Sequence, residues 1–189
     1  MRRLAVLGAA LGLCSFAVLE IVNAIGASGE QPPSVLQRPA QPSDALPMTV
    51  RERALAEGFD LSSARRISSG TYVIRRNGGF LCLVSVARGM SGGCNPAGSF
   101  FHGEQLVYGI SDEGMPNAPS YLRVAGVARG EVAKVRLRFD GLTLETATSS
   151  DGGFAIEATA DALAHGRPTA LDAIGKNGRV LRTYSLPED

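Results

Sequence analysis

Cys82 and Cys94 are the side chains best able to do chemistry in this 189-residue chain, and two kinds of chemistry compete for them. A cysteine nucleophile needs a partner to take its proton, usually a histidine. The run Ser91-Gly92-Gly93-Cys94-Asn95 holds none, and His102 and His165, the only imidazoles, both come after Cys94. The competing reading is a bridge. Of the three cysteines, Cys14 lies in an apolar leader. An exported remainder therefore keeps just the pair Cys82 and Cys94, the simplest arithmetic for one disulfide in an oxidising compartment.

Other chemistry is hard to find. Neither histidine sits in a metal-ligand or Ser-His-Asp pattern. Asp112-Glu113-Gly114 and Asp151-Gly152-Gly153 read as turns, where aspartate bonds the local backbone, and neither has the spacing of a calcium loop. There is no glycine-rich phosphate loop and no nucleophile elbow. The expectation is no catalytic residue, no metal and no cofactor. One surface stands out: Lys134, Arg136 and Arg138 alternate with Val135, Leu137 and Phe139 and so share the solvent side of one strand, with Arg123 and Arg129 near in sequence. Such a stripe suits anionic wall polymers or lipid headgroups. A solvated, aggregation-resistant strand face has the same pattern, and Glu145 is expected on the neighbouring strand to offset part of the charge. A net charge of +1, 6% aromatic residues and no tryptophan exclude a nucleic-acid binder.

The elements that would position these residues can be read from composition and periodicity. Arg2 and Arg3 precede an apolar run over residues 4–19, the pattern of an export segment that delivers the downstream chain to the outside. Residues 1–27 are read either as a cleaved signal peptide, with Ala24, Gly26 and Ala27 near the cut, or as a retained transmembrane anchor. Residues 28–48, with Pro32, Pro33, Pro39, Pro42 and Pro47, read as an extended proline-rich linker. Thr49-Val50-Arg51-Glu52 has capping-box spacing and predicts a short helix stopped by Gly58.

Strands come next. Residues 71–76 and 80–86 flank Asn77-Gly78-Gly79 and predict a hairpin, with Cys94 beyond a flexible loop that contains Gly89, Ser91, Gly92 and Gly93. Further on, residues 121–127, 132–139, 142–146 and 154–158 and a last pair around Gly175-Lys176-Asn177-Gly178 are β-prone, with Asp140-Gly141 and Ser150-Asp151-Gly152-Gly153 as turns. The expected architecture is mainly β: a small disulfide-stapled β lobe over 49–118, then an antiparallel, immunoglobulin-like β-sandwich over 119–189.

The order of an Arg-initiated export segment, a proline-rich tether, Ser63-Ala64-Arg65-Arg66, Gly79-Phe80-Leu81-Cys82-Leu83 with a partner Cys94, then Val107-Tyr108-Gly109 and a β-rich end resembles uncharacterised exported proteins of GC-rich Gram-positive bacteria over most of residues 60–189. The resemblance implies location and fold only. The functional expectation is a non-catalytic envelope module, held to the membrane by its N-terminal segment or released from it, that binds a wall polymer or envelope protein. An exported hydrolase or transferase acting on wall material, its site scattered in sequence, is the alternative.

Overall fold

The computed structural model describes residues 31–86, 90–115 and 118–186. The apolar segment 4–27, with its flanking arginines and Cys14, lies outside them, as does Gly89. Among the described residues no helix is long and apolar enough to cross a membrane.

The fold is mainly β and antiparallel, as expected. Helix α1 (Met48–Ala56) leads into a meander of β1 (Phe59–Ser68), β2 (Thr71–Arg76), β3 (Phe80–Ser85) and β4 (Ser91–Pro96), which form one sheet in that order. Then β5 (Leu106–Met115) and β6 (Ala118–Ala128) make a long hairpin, succeeded by β7 (Val132–Arg138), β8 (Thr143–Ala147), β9 (Gly153–Thr159), the single turn α2 (Ala160–Leu163), β10 (Ala170–Gly175) and β11 (Val180–Ser185). These complete a three-stranded sheet, β5-β6-β9, and a four-stranded sheet, β11-β10-β7-β8.

The three sheets are layered, and their side-chain periods show why. In β6 and β9, Leu122, Val124, Ile156 and Ala158 face Val135, Leu137, Leu171 and Ala173 of the four-stranded sheet in one buried cluster. The opposite face of the middle sheet offers Val107 and Val127, which pack with Val73, Leu81, Leu83, Phe100 and Phe101. The other side of the first sheet, with Tyr72, Ile74, Cys82 and Val84, is covered by Leu46, Val50 and Ala54 around α1. A strand covered on both faces must be apolar at successive positions, which is why β2 buries Thr71 through Ile74 without alternating. By contrast β7 faces water on one side and alternates.

Some expectations need correction. The helix begins at Met48 after Pro47 with no side-chain cap, so the Thr49/Glu52 capping box is not used; it does stop just before Gly58, whose φ of 81° only glycine adopts without strain. Gly92 and Gly93, just before Cys94, belong to β4, paired in register with β3, rather than to a flexible loop. β5 and β6 pair with each other in a single sheet. The proline-rich stretch, over its described residues 31–47, is folded onto the body: Val35 and Leu46 are buried in two different clusters, and short 3-10 turns occupy Ser34–Leu36 and Pro42–Asp44. Proline sets φ but does not keep a chain in water when its apolar neighbours find a surface to bury.

One contact ties the four-stranded sheet to the middle sheet. The Tyr184 hydroxyl on β11 accepts the backbone N–H groups of Gln105 and Leu106 at 2.9 and 3.1 Å where β5 begins, and its ring meets Tyr108 edge-on. Burial, and the nearby Glu104, push the phenol above its ordinary pKa; the two donated bonds oppose that. Tyr184→Phe leaves both amides without this acceptor and is expected to lower stability by about 1 to 2 kcal/mol, read as a shift in urea midpoint at unchanged slope.

Candidate functional site

Cys82 and Cys94 are directly opposite in the β3–β4 register and are bridged, with Cα atoms 4.0 Å apart. So short a separation marks a non-hydrogen-bonded antiparallel pair, the position where side chains lie closest across strands. Cys82 is fully buried in the cluster beneath α1, and Cys94 is exposed. The bridge therefore fastens a glycine-rich edge strand to a strand held in the core.

β4 forms one lip of a cleft of about 470 Å³ between the first sheet and the middle sheet. Thr71, Leu83, Ser85, Ser91, Gly93 and Asn95 line it from the first sheet; Val107, Gly109, Ser111 and Ala125, with Tyr108 and Ile110 at the rim, line it from β5 and β6. No lining residue carries a charge. Hydroxyls and one amide supply directional hydrogen bonds over a small-residue floor, and Asn95 is oriented by donating to the Phe100 carbonyl at 2.8 Å. Gly92 belongs to this wall for a steric reason: a Cβ there would lie 2.1 Å from the Leu83 carbonyl oxygen. Gly93 and Gly109 instead leave open space. A Cβ at Gly93 meets nothing within 4 Å, and one at Gly109 meets only Leu83 Cδ2 at 3.9 Å.

The basic stripe is on the outer face of the four-stranded sheet. Arg136 Nη2 lies 2.6 Å and Lys134 Nζ 3.8 Å from the Glu145 carboxylate on β8, which these cations hold below its usual pKa. Arg138 Nε is 3.3 Å from Asp172, a buried carboxylate that also accepts the Thr183 hydroxyl. Each stripe cation thus has an acidic neighbour.

The groups whose convergence would mark an enzyme are dispersed. His102 occupies an exposed turn at φ 49°, His165 comes just after α2, and Asp112 pairs with Arg167 at 3.3 Å; the cleft lining includes none of them. Among the described residues no three His, Cys, Asp or Glu side chains gather in a metal-binding group. Sequence reasoning missed the cleft because its lining, rich in Gly and Ser, is drawn from five separate strands, β2 to β6. The only signal for it was the high glycine content around residues 89–93.

Comparison with known proteins adds no second source of assignment. No family model, curated protein or solved structure matches the chain.

Proposed function

We propose that the chain is a non-catalytic extracytoplasmic binding module, exported or anchored through residues 1–27, that seats an uncharged segment of an envelope protein or wall polymer in the cleft between β3–β4 and β5–β6. The observation that carries this reading is the lining itself: concave, uncharged, part apolar and part hydroxyl, with one wall fixed by a covalent bridge. Ligand seats in general are concave, largely pre-formed and supplied with a few placed polar groups.

Three further features support it. The bridge suits an oxidising compartment and would be short-lived in a reducing one. The strand order β5-β6-β9 against β8-β7-β10-β11, with chain crossings between sheets after β6, β8 and β9, supports reading this part as an immunoglobulin-like sandwich, an architecture used widely by surface interaction domains. The cleft's hydroxyls have no histidine, lysine or carboxylate beside them in the lining to activate them, which supports binding over nucleophilic catalysis. The stripe of Lys134, Arg136 and Arg138 is the weaker seat, since Glu145 and Asp172 already occupy its cations.

The test is a cavity-filling variant. Gly109→Leu has room to fold and points its side chain across the cleft towards Leu83. In calorimetric titrations with soluble wall fragments and with uncharged peptides, the parent protein is expected to bind and Gly109→Leu to bind at least ~10-fold more weakly at equal thermal stability, as expected when a seat is filled rather than a fold broken. Equal binding by the two proteins sinks the reading.

A further inference from the structure

The edge of β4 offers a second kind of contact beside the cleft. In an antiparallel pair, residues alternate between those whose backbone groups bond the neighbour and those whose groups point away. The 4.0 Å Cα separation at Cys82–Cys94 assigns Cys94 to the second kind, and the two-residue period assigns Gly92 with it. The bond from the Ala97 amide to the Gly79 carbonyl fits the same phase, because it places the odd-numbered residues of β4 in the bonds to β3. The N–H and C=O groups of Gly92 and Cys94 therefore face outward on the last strand of the sheet, where no described strand pairs with them.

This edge also lacks the usual protection. Exposed edges are normally guarded by charged side chains that repel a second strand. The other five terminal strands of the three sheets each carry at least one: Arg65 on β1, Asp112 on β5, Glu157 on β9, Glu145 on β8 and Arg182 on β11. In β4 there is no charge at all, two of its residues are glycines that let another backbone come close, and only Pro96 closes its end. A strand laid along it would direct alternate side chains over the mouth of the uncharged cleft, the arrangement in which main-chain bonds supply affinity and pockets for every second side chain supply specificity.

We infer that β4 is a strand-addition edge: the ligand of the cleft is an extended, uncharged peptide segment of a partner protein, paired to the outward backbone groups of Gly92 and Cys94, with its alternate small side chains in the cleft. This rests on the cleft being the binding seat and names the class of what it binds. An uncharged segment is specified because neither the edge nor the lining offers an ionic partner, so a charged side chain entering there would lose hydration without compensation.

The experiment uses the bridged protein and a pool of N-acetylated, C-amidated hexapeptides built from Gly, Ala, Ser, Thr and Val, beside the same pool with every peptide nitrogen methylated, so that neither strand edge keeps an N–H donor. Amide hydrogen exchange and chemical shifts are monitored residue by residue. The expected result is at least ~10-fold slower exchange at Gly92 and Cys94 with the unmethylated pool only, weakened in Gly109→Leu, as main-chain pairing requires. If methylated peptides bind equally and Gly109→Leu still weakens them, strand addition is wrong while the cleft seat stands. If only neutral wall glycans shift the cleft residues, the peptide class is wrong. No response to either pool or to glycans removes both. Protection of Gly92 and Cys94 that rises with protein concentration, without peptide, would show a second copy of the chain on this edge and overturn the inference.

Discussion

Replacing Asp44 by alanine is expected to destabilise the protein by about 3 kcal/mol, the scale for breaking a buried ion pair by removing one partner. Asp44 is only 3% exposed. Its two oxygens accept Arg38 Nη1 and Nη2 at 2.7 Å each, the Arg66 amide at 2.7 Å and the Gln41 amide at 2.8 Å. Arg38 in turn places Nε 2.8 Å from Asp151 in the turn before β9 and gives a further bond to the Arg66 carbonyl. One guanidinium thus joins the proline-rich segment, β1 and the β8–β9 turn. Alanine at 44 strands these donors together, whereas Arg38→Lys keeps the charge and loses the fork, and is expected to cost less.

The same residue gives a pH signature with a definite sign. Burial raises the Asp44 pKa, but the bonds from Arg38, Arg66 and Gln41 outweigh it and bring the carboxyl from 3.8 to about 2. A depressed folded pKa contributes stability above the unfolded value that is lost as pH falls towards the folded one. Stability on the order of 2 kcal/mol should therefore be fully present above about pH 4 and fade between about pH 4 and pH 2. Other carboxylates, Asp151 and Glu145 among them, also titrate low, so the informative quantity is the difference between the protein and Asp44→Asn. Urea midpoints measured from pH 2 to 6 should converge at the acid end. Parallel curves would mean that the carboxylate contributes nothing to folding.

What the sequence disclosed and what it hid divide along physical lines. A β-prone run on each side of Asn77-Gly78-Gly79 is a local signal, as is period-2 alternation around Asp140-Gly141, so the β2–β3 and β7–β8 hairpins could be read directly; the bridge could be inferred because only two cysteines lie beyond the apolar N-terminal run. β1 escaped because its register is interrupted between Asp60 and Arg65 and its burial does not alternate. β4 escaped because Gly-Gly carries no strand signal of its own; only its pairing partner makes it a strand. The Arg38 clamp joins residues 113 positions apart inside what composition marks as a spacer. The cleft is still less legible, since it is made of space left by small side chains.

Loss of the bridge is the second large effect. Double replacement Cys82→Ala, Cys94→Ser is expected to cost about 3 kcal/mol through loop-closure entropy alone, on a bridge spanning 12 residues. The loss should be uneven. β4 has poor strand propensity, contributes exposed residues and pairs on one side only, so without the covalent tie its pairing to β3 must stand on few contacts. Hydrogen exchange is expected to speed up at Ser91, Gly93 and Asn95, whose amides face β3, well before β2 and β3 respond, since those are buried on both faces. After mild reduction, alkylation should reach exposed Cys94 before buried Cys82. Because β4 is one wall of the cleft, peptide binding should fall with its protection, even at temperatures where the rest of the protein is folded. Should the reduced protein keep both β4 protection and binding, the strand is self-supporting and the bridge serves only global stability. If binding and β4 protection fall together while β5–β11 stay intact, the covalent tie is what keeps the seat in shape.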